Sequence, residues 1–209
     1  MSAPDRSGRP PPASRRPDDT DTTLEPAAEV IRTARLELVP LPESLPEALL
    51  RGDLEAASVA VGAAVPRWLA NDPSPVIQLH LAELAARAAG LGGFGRLIVL
   101  ATDSGSRRVI GSIGFHGPPD ERSCLEVGAR LHPGHRGRGY AIEALTGFLG
   151  WAAMRFGITR FVVAIQVRRE PGDLVAVDIA SPGAPRLGEQ VEGLAPLLEG
   201  ERRDHRPAG

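Results

Sequence analysis

The residues best equipped for chemistry lie in "HPGHRGRGYAIEAL", where His132, His135, Arg136 and Arg138 alternate with Gly134, Gly137 and Gly139 directly ahead of a helical apolar pattern. Glycines so spaced let the main chain approach a ligand and adopt the dihedrals that make successive amides converge. A helix beginning there adds unpaired N–H groups and the positive end of its dipole, so a pyrophosphate can bind without a dedicated side chain. The bland alternative is a connective glycine turn with Arg136 and Arg138 solvated. A Walker loop is excluded, because it needs a lysine and the chain has none. A dinucleotide fingerprint would need a further glycine where Ile142 stands, an early βαβ unit and an acidic residue closing the next strand. The partner this loop suits is a phosphate-bearing cofactor.

Composition narrows the chemistry further. Without lysine there is no Schiff-base nucleophile and no lysine general base. The lone Cys124 forms no internal disulfide and no multi-cysteine zinc site, and it reads as a small buried apolar residue. No His/Cys/Asp cluster has metal-ligand spacing, so no metal is assigned. A net charge of −2 argues against nucleic acid as the main partner. No apolar run has membrane-spanning length and the first residues lack the apolar stretch of a signal peptide, so no membrane partner and a cytoplasmic location are expected.

These residues need elements to hold them. The segment 1–29, rich in Pro, Ser, Asp and Arg, buries too little apolar surface to offset its ordering entropy and is expected to be a disordered tail. "ARLELVPL" predicts a first strand with alternating faces, followed by two short helices broken at Gly52 with Asp53 as N-cap of the second. A longer helix opens at Ser74 and Pro75 and closes at Gly90. Strands are then predicted over 96–101, 109–115 and 124–131, the last with Leu125, Val127, Ala129 and Leu131 on one face and Glu126, Gly128 and Arg130 on the other. After the glycine turn, Ala141, Leu145, Phe148 and Ala152 recur at helical spacing up to a Gly157 cap, with Phe148 and Trp151 read as core, and "TRFVVAIQV" reads as a buried strand. The order describes an α/β (α+β) layer with helices on a central sheet.

"RGRGYA", residues 136–141, matches an Arg/Gln-x-x-Gly-x-Gly/Ala signature, and with its flanks "VIGSIGFHGPP" and "AIEALTGFLGWAAMRFGITRFVVAI" it resembles the GNAT superfamily of N-acetyltransferases, in its RimJ/RimL-like branch. The resemblance runs from "TARLELVPL" near Thr33 to about Gln166. It implies a mixed, mostly antiparallel sheet flanked by helices, in which strands 124–131 and 160–165 splay apart to admit the pantetheine arm of acetyl-CoA. Carried over, main-chain groups of Ala129 and Leu131 would meet the pantetheine amides. The N–H groups of Gly137, Arg138, Gly139, Tyr140 and Ala141 would hold the pyrophosphate, with Arg136 and Arg138 adding charge.

The implied reaction is direct attack of a primary amine, of a small molecule or a protein N-terminus, on the thioester. Glu126 is the first candidate for the base, as a carboxylate raised by partial burial; the alternative is a solvated Glu paired with Arg130. His116 is the second candidate, against a reading as a polar strand cap. The expected organisation is a tail over 1–29, an acetyltransferase core over 30–168 and a divergent segment over 169–209. That last segment departs from the family: the single Asn is Asn71, the single Tyr is Tyr140, and "RREPGDLVAVDIASPGAPRLG" stands where a helix and strand are usual, although "DLVAVDIA" has the pattern of a strand. The departure leaves a non-catalytic acyl-CoA-binding protein as the alternative function. The acceptor and the oligomeric state, a homodimer included, are not set by the sequence.

Overall fold

The apolar runs resolve into one sheet. In this computed structural model, which describes residues 29–88, 95–102, 104–116, 124–158, 160–166 and 174–180, β1 (Ile31–Arg32), β2 (Leu36–Pro40), β3 (Gly95–Ala101), β4 (Arg107–Phe115), β5 (Cys124–Leu131), β6 (Arg160–Gln166) and β7 (Leu174–Ala180) lie side by side in chain order. Every neighbouring pair is antiparallel except β5 and β6. Those two are joined by a helix, α5 (Tyr140–Phe156), because only a crossover brings the chain back to run in the same direction. Between β2 and β3 lie α1 (Leu45–Leu50), α2 (Leu54–Val61), α3 (Arg67–Asn71) and α4 (Ser74–Ala88).

The local signals act as read. Gly52 takes φ +71° between the first two helices, and the Asp53 carboxylate caps α2 by accepting from Ala56 N–H at 2.9 Å. Gly157 ends α5 at φ +66°. "DLVAVDIA" does form a strand, β7, registered along the whole of β6. The expected tail, the Gly90 cap and the rest of the 169–209 segment lie outside the described residues.

Two expectations need correction. The first strand was expected to alternate, yet Leu36, Glu37, Leu38 and Val39 are all buried, because helices cover both faces of the sheet. On one face α5 packs Leu145, Phe148, Leu149 and Trp151 against Leu36, Leu38, Ile98 and Phe115; on the other, α1–α4 pack Leu45, Leu49 and Leu69 against Val39, Leu97 and Val99. Each large side chain so buried contributes about 1.5–3 kcal/mol. Glu37 survives inside by pairing with Arg32 and with Arg107, whose Nε donates at 2.9 Å. Burial alone pushes its carboxyl up, but those two guanidinium groups outweigh burial and hold it below the usual carboxylate range. The second correction is α3, absent from the sequence reading: five residues after Pro66 carry no periodicity of their own, and the helix is anchored by the burial of Leu69.

Arg96 of β3 is fully buried on the α5 face, its guanidinium 4.7 Å from the centre of the Trp151 ring. Burial pushes its pKa down to about 10, against the opposing pull of Glu83 and Glu29.

Candidate active site

The site is set by where β5 stops pairing. Registered pairs between β5 and β6 run from Cys124↔Arg160 to Gly128↔Ala164 and end there, although both strands continue. On the other side β5 stays paired with β4 up to Gly111↔Leu131. His116 N–H donates to the Glu126 carbonyl and His132 N–H to the Ile110 carbonyl, so even-numbered residues of β5 direct their main-chain groups to β4. Odd-numbered ones, including Ala129 and Leu131, direct theirs toward β6, into the opening beyond Gly128. The β3–β4 register shifts at Ile98/Val99, which leaves Ile110 as a bulge opposite the end of β5. Gly111 beside it has no room for a side chain, since a Cβ would stand 2.2 Å from the Arg130 carbonyl oxygen.

From Leu131 the chain passes through a 3-10 turn, Pro133–His135, to the glycine loop. Arg136 donates from Nε to the Leu131 carbonyl at 3.1 Å, fastening the loop to the strand and leaving the Leu131 N–H on the open side. Gly137 and Gly139 take φ +66° and +75°, and Gly139 is the N-cap of α5. Among the described residues, none of the N–H groups of 137–141 donates to a protein acceptor. They form a set of open donors at a helix N-terminus, beside the carboxyl ends of two parallel strands. The surroundings are electropositive: His135 is pushed down first by burial and then by Arg138, His132 and Arg108. Such a place suits a pyrophosphate, and the parted strands suit an amide-bearing arm.

The loop is held by residues that sequence reasoning missed. Glu143, in the first turn of α5, accepts from Thr33 Oγ1 at 2.6 Å, from Arg35 N–H at 2.7 Å and from Arg35 Nε at 2.6 Å. Arg35 also donates to the Arg138 carbonyl at 3.0 Å and lies 4.5 Å over the buried Tyr140 ring. Burial pushes the Glu143 carboxyl up; the bonds from Thr33 and Arg35 outweigh it and hold the group below the usual range. An acid in a first helical turn is a visible signal for the helix dipole, but its partners stand 108 and 110 positions away. On the opposite side Trp68 of α3 stacks on His132 with centroids 5.0 Å apart, and Asp72 receives a bond from Arg130 at 2.9 Å.

The two candidate bases come together. His116 Nδ1 lies 3.1 Å from Glu126 Oε1, with about half of each side chain exposed. The Glu126 side chain is 55% exposed, and Arg130 pairs with Asp72 instead of Glu126. Cys124, expected to be buried, is half-buried, because it opens β5 at the pairing with Arg160. Phe148 and Trp151 are core, as read.

A sequence model described as an acetyltransferase (GNAT) domain matches residues 35–170. The chain belongs to the GNAT acetyltransferase family. The match covers β2 to β6, the glycine loop and the His116–Glu126 pair. It is 28% identical over 131 residues to the uncharacterized N-acetyltransferase YjdG of Bacillus subtilis (strain 168), covering 63% of this chain and 76% of that one. A crystal structure of an acetyltransferase from Agrobacterium tumefaciens str. C58 shares 28% identity over 68% of this chain and 77% of its own, with a TM-score of 0.41. RimL, the ribosomal L7/L12 α-N-protein acetyltransferase in complex with coenzyme A, shares 15% identity over 73% and 96%, with a TM-score of 0.42. As a GNAT protein, the chain is an acetyl-CoA-dependent N-acetyltransferase, and nothing favours the non-catalytic alternative.

Proposed function

We propose that the acceptor is a primary amine, on a small molecule or at a protein N-terminus, and that it attacks the thioester directly. The observation that supports this reading is the set of open N–H groups at 137–141, at the same end of the sheet where β5 and β6 part. In this reading those amides hold the pyrophosphate of acetyl-CoA, with Arg136 and Arg138 adding positive charge. The Ala129 carbonyl and the Leu131 N–H meet the pantetheine amides, completing the interrupted strand pairing with ligand groups. Glu126 and His116, in contact at the mouth of the opening, supply the proton acceptor that amine attack needs. The chemistry asks for juxtaposition, proton removal and relief of charge on the oxyanion and departing thiolate, and calls for no metal. The RimJ/RimL-like branch and a cytoplasmic setting belong to the same reading.

Isothermal titration with acetyl-CoA, paired with a thiol-release assay over peptide and small-molecule amines, tests it. Saturable binding with amine-dependent release of CoA is the expected result. Binding without release from any amine would overturn it.

A further inference from the structure

The His116–Glu126 contact assigns unequal parts to its two members. His116 follows the last residue of β4, and its N–H bond to the Glu126 carbonyl sets the two residues opposite each other. A carboxylate accepts and does not donate, so the hydrogen between Nδ1 and Oε1 belongs to the ring, and in the neutral ring Nε2 keeps its lone pair. The Nε2 edge lies over Gly128: a Cβ there would be 2.5 Å from Nε2 and 2.8 Å from Cε1. Gly128 is also the last residue of β5 registered with β6. The bare nitrogen therefore stands over the point where the strands part. Among the described residues, Glu126 is the charged group that the ring touches.

Resting on the acetyl-transfer reading above, we propose that His116 is the general base, that Glu126 is a positioning residue fixing its tautomer, and that Gly128 is glycine to make room for the ring. This reverses the priority that the sequence suggests. His116 Nε2 takes a proton from the acceptor ammonium. The freed amine nitrogen bonds to the acetyl carbon, and the carbon–sulfur bond breaks with its electron pair passing to sulfur. The second amine proton neutralises that thiolate, and the half-exposed His116 releases its own proton to water.

The test uses the full chain as wild type, H116Q, E126Q and G128A, with acetyl-CoA, tyramine and a serine-led peptide amide as probes. H116Q is expected to lower kcat about 100- to 1000-fold and to remove the acid limb of the kcat–pH profile, with acetyl-CoA affinity held within about twofold. E126Q is expected to lower kcat roughly tenfold and to shift that limb. G128A displaces the exposed end of a side chain, so kcat falls while Tm holds. Long-range proton–nitrogen NMR should find the neutral His116 ring as the Nδ1–H tautomer in wild type and should find that preference lost in E126Q. An H116Q enzyme within about threefold of wild-type kcat, or a wild-type ring in the Nε2–H form, overturns the assignment. Wild-type protein that fails to bind acetyl-CoA, or binds it and acetylates neither probe, overturns the transfer reading and this proposal with it; the titration and the wild-type assay identify that failure without any variant.

Discussion

The two ends of the opening between β5 and β6 are built differently. At the loop end, one part-buried carboxylate, Glu143, gathers three hydrogen bonds from Thr33 and Arg35, and Arg35 reaches on to the Arg138 carbonyl and over Tyr140. At the other end, His116 and Glu126 share one side-chain contact, with about half of each side chain in water. The difference teaches how such a site divides its work. Open N–H groups bind an anion well only if their direction is set beforehand, so the loop is clamped from a distant part of the chain. In the proposed reading, a proton acceptor must meet acceptors and solvent, and the half-exposed His116–Glu126 contact leaves it accessible.

Breaking the clamp should have the largest effect. Glu143→Ala removes the acceptor of three bonds in a part-buried place, and should cost about 3 kcal/mol, or roughly 6–12 °C in Tm by calorimetry. The matching change at the open end, Glu126→Ala, should cost less than about 0.5 kcal/mol in stability while lowering turnover. Equal losses of stability at the two ends would erase the contrast.

Gly139→Val forces a branched residue to φ +75°, with its Cβ 3.4 Å from the Arg35 guanidinium. The strain should weaken acetyl-CoA binding by about 2 kcal/mol, near thirtyfold in Kd by titration.

Acid separates the ends by another route. Glu143 and Glu37 bind protons less readily folded than unfolded, so the stability they contribute is complete above the ordinary carboxylate value and is lost as pH falls through the range beneath it. Thermal melts between about pH 6 and pH 3 should show this fall, and Glu143→Gln should flatten it.

The smallest effect belongs to Asp72→Asn, which breaks an exposed pair with Arg130. Its stability cost should stay under about 0.5 kcal/mol in denaturant titration. A larger loss would mean that α3 is clamped onto β5 as firmly as the loop is clamped onto the connection between β1 and β2.

Much of the site was legible because its signals are local. Glycine spacing announced the loop, period-2 and helical patterns announced β5 and α5, and Asp53 and Gly157 announced their caps, since dihedral preference and capping act within a few residues. The alternation in β5 also placed Glu126 and Gly128 on one face and Ala129 and Leu131 on the other before any strand was paired. Less legible were α3, whose helix depends on burying Leu69, and the double-sided burial of β2, which depends on what covers the sheet.

The sequence by itself determined the elements, the loop and the absence of lysine chemistry, because backbone propensity and side-chain inventory are properties of a residue and its neighbours. Only the tertiary structure decided that Glu143 answers to Thr33 and Arg35, that Arg96 is enclosed against Trp151, and that His116 meets Glu126 over Gly128. Each of those contacts joins different elements. Which side chains face one another across a sheet is fixed by register and packing, and those quantities exist only once the chain has folded.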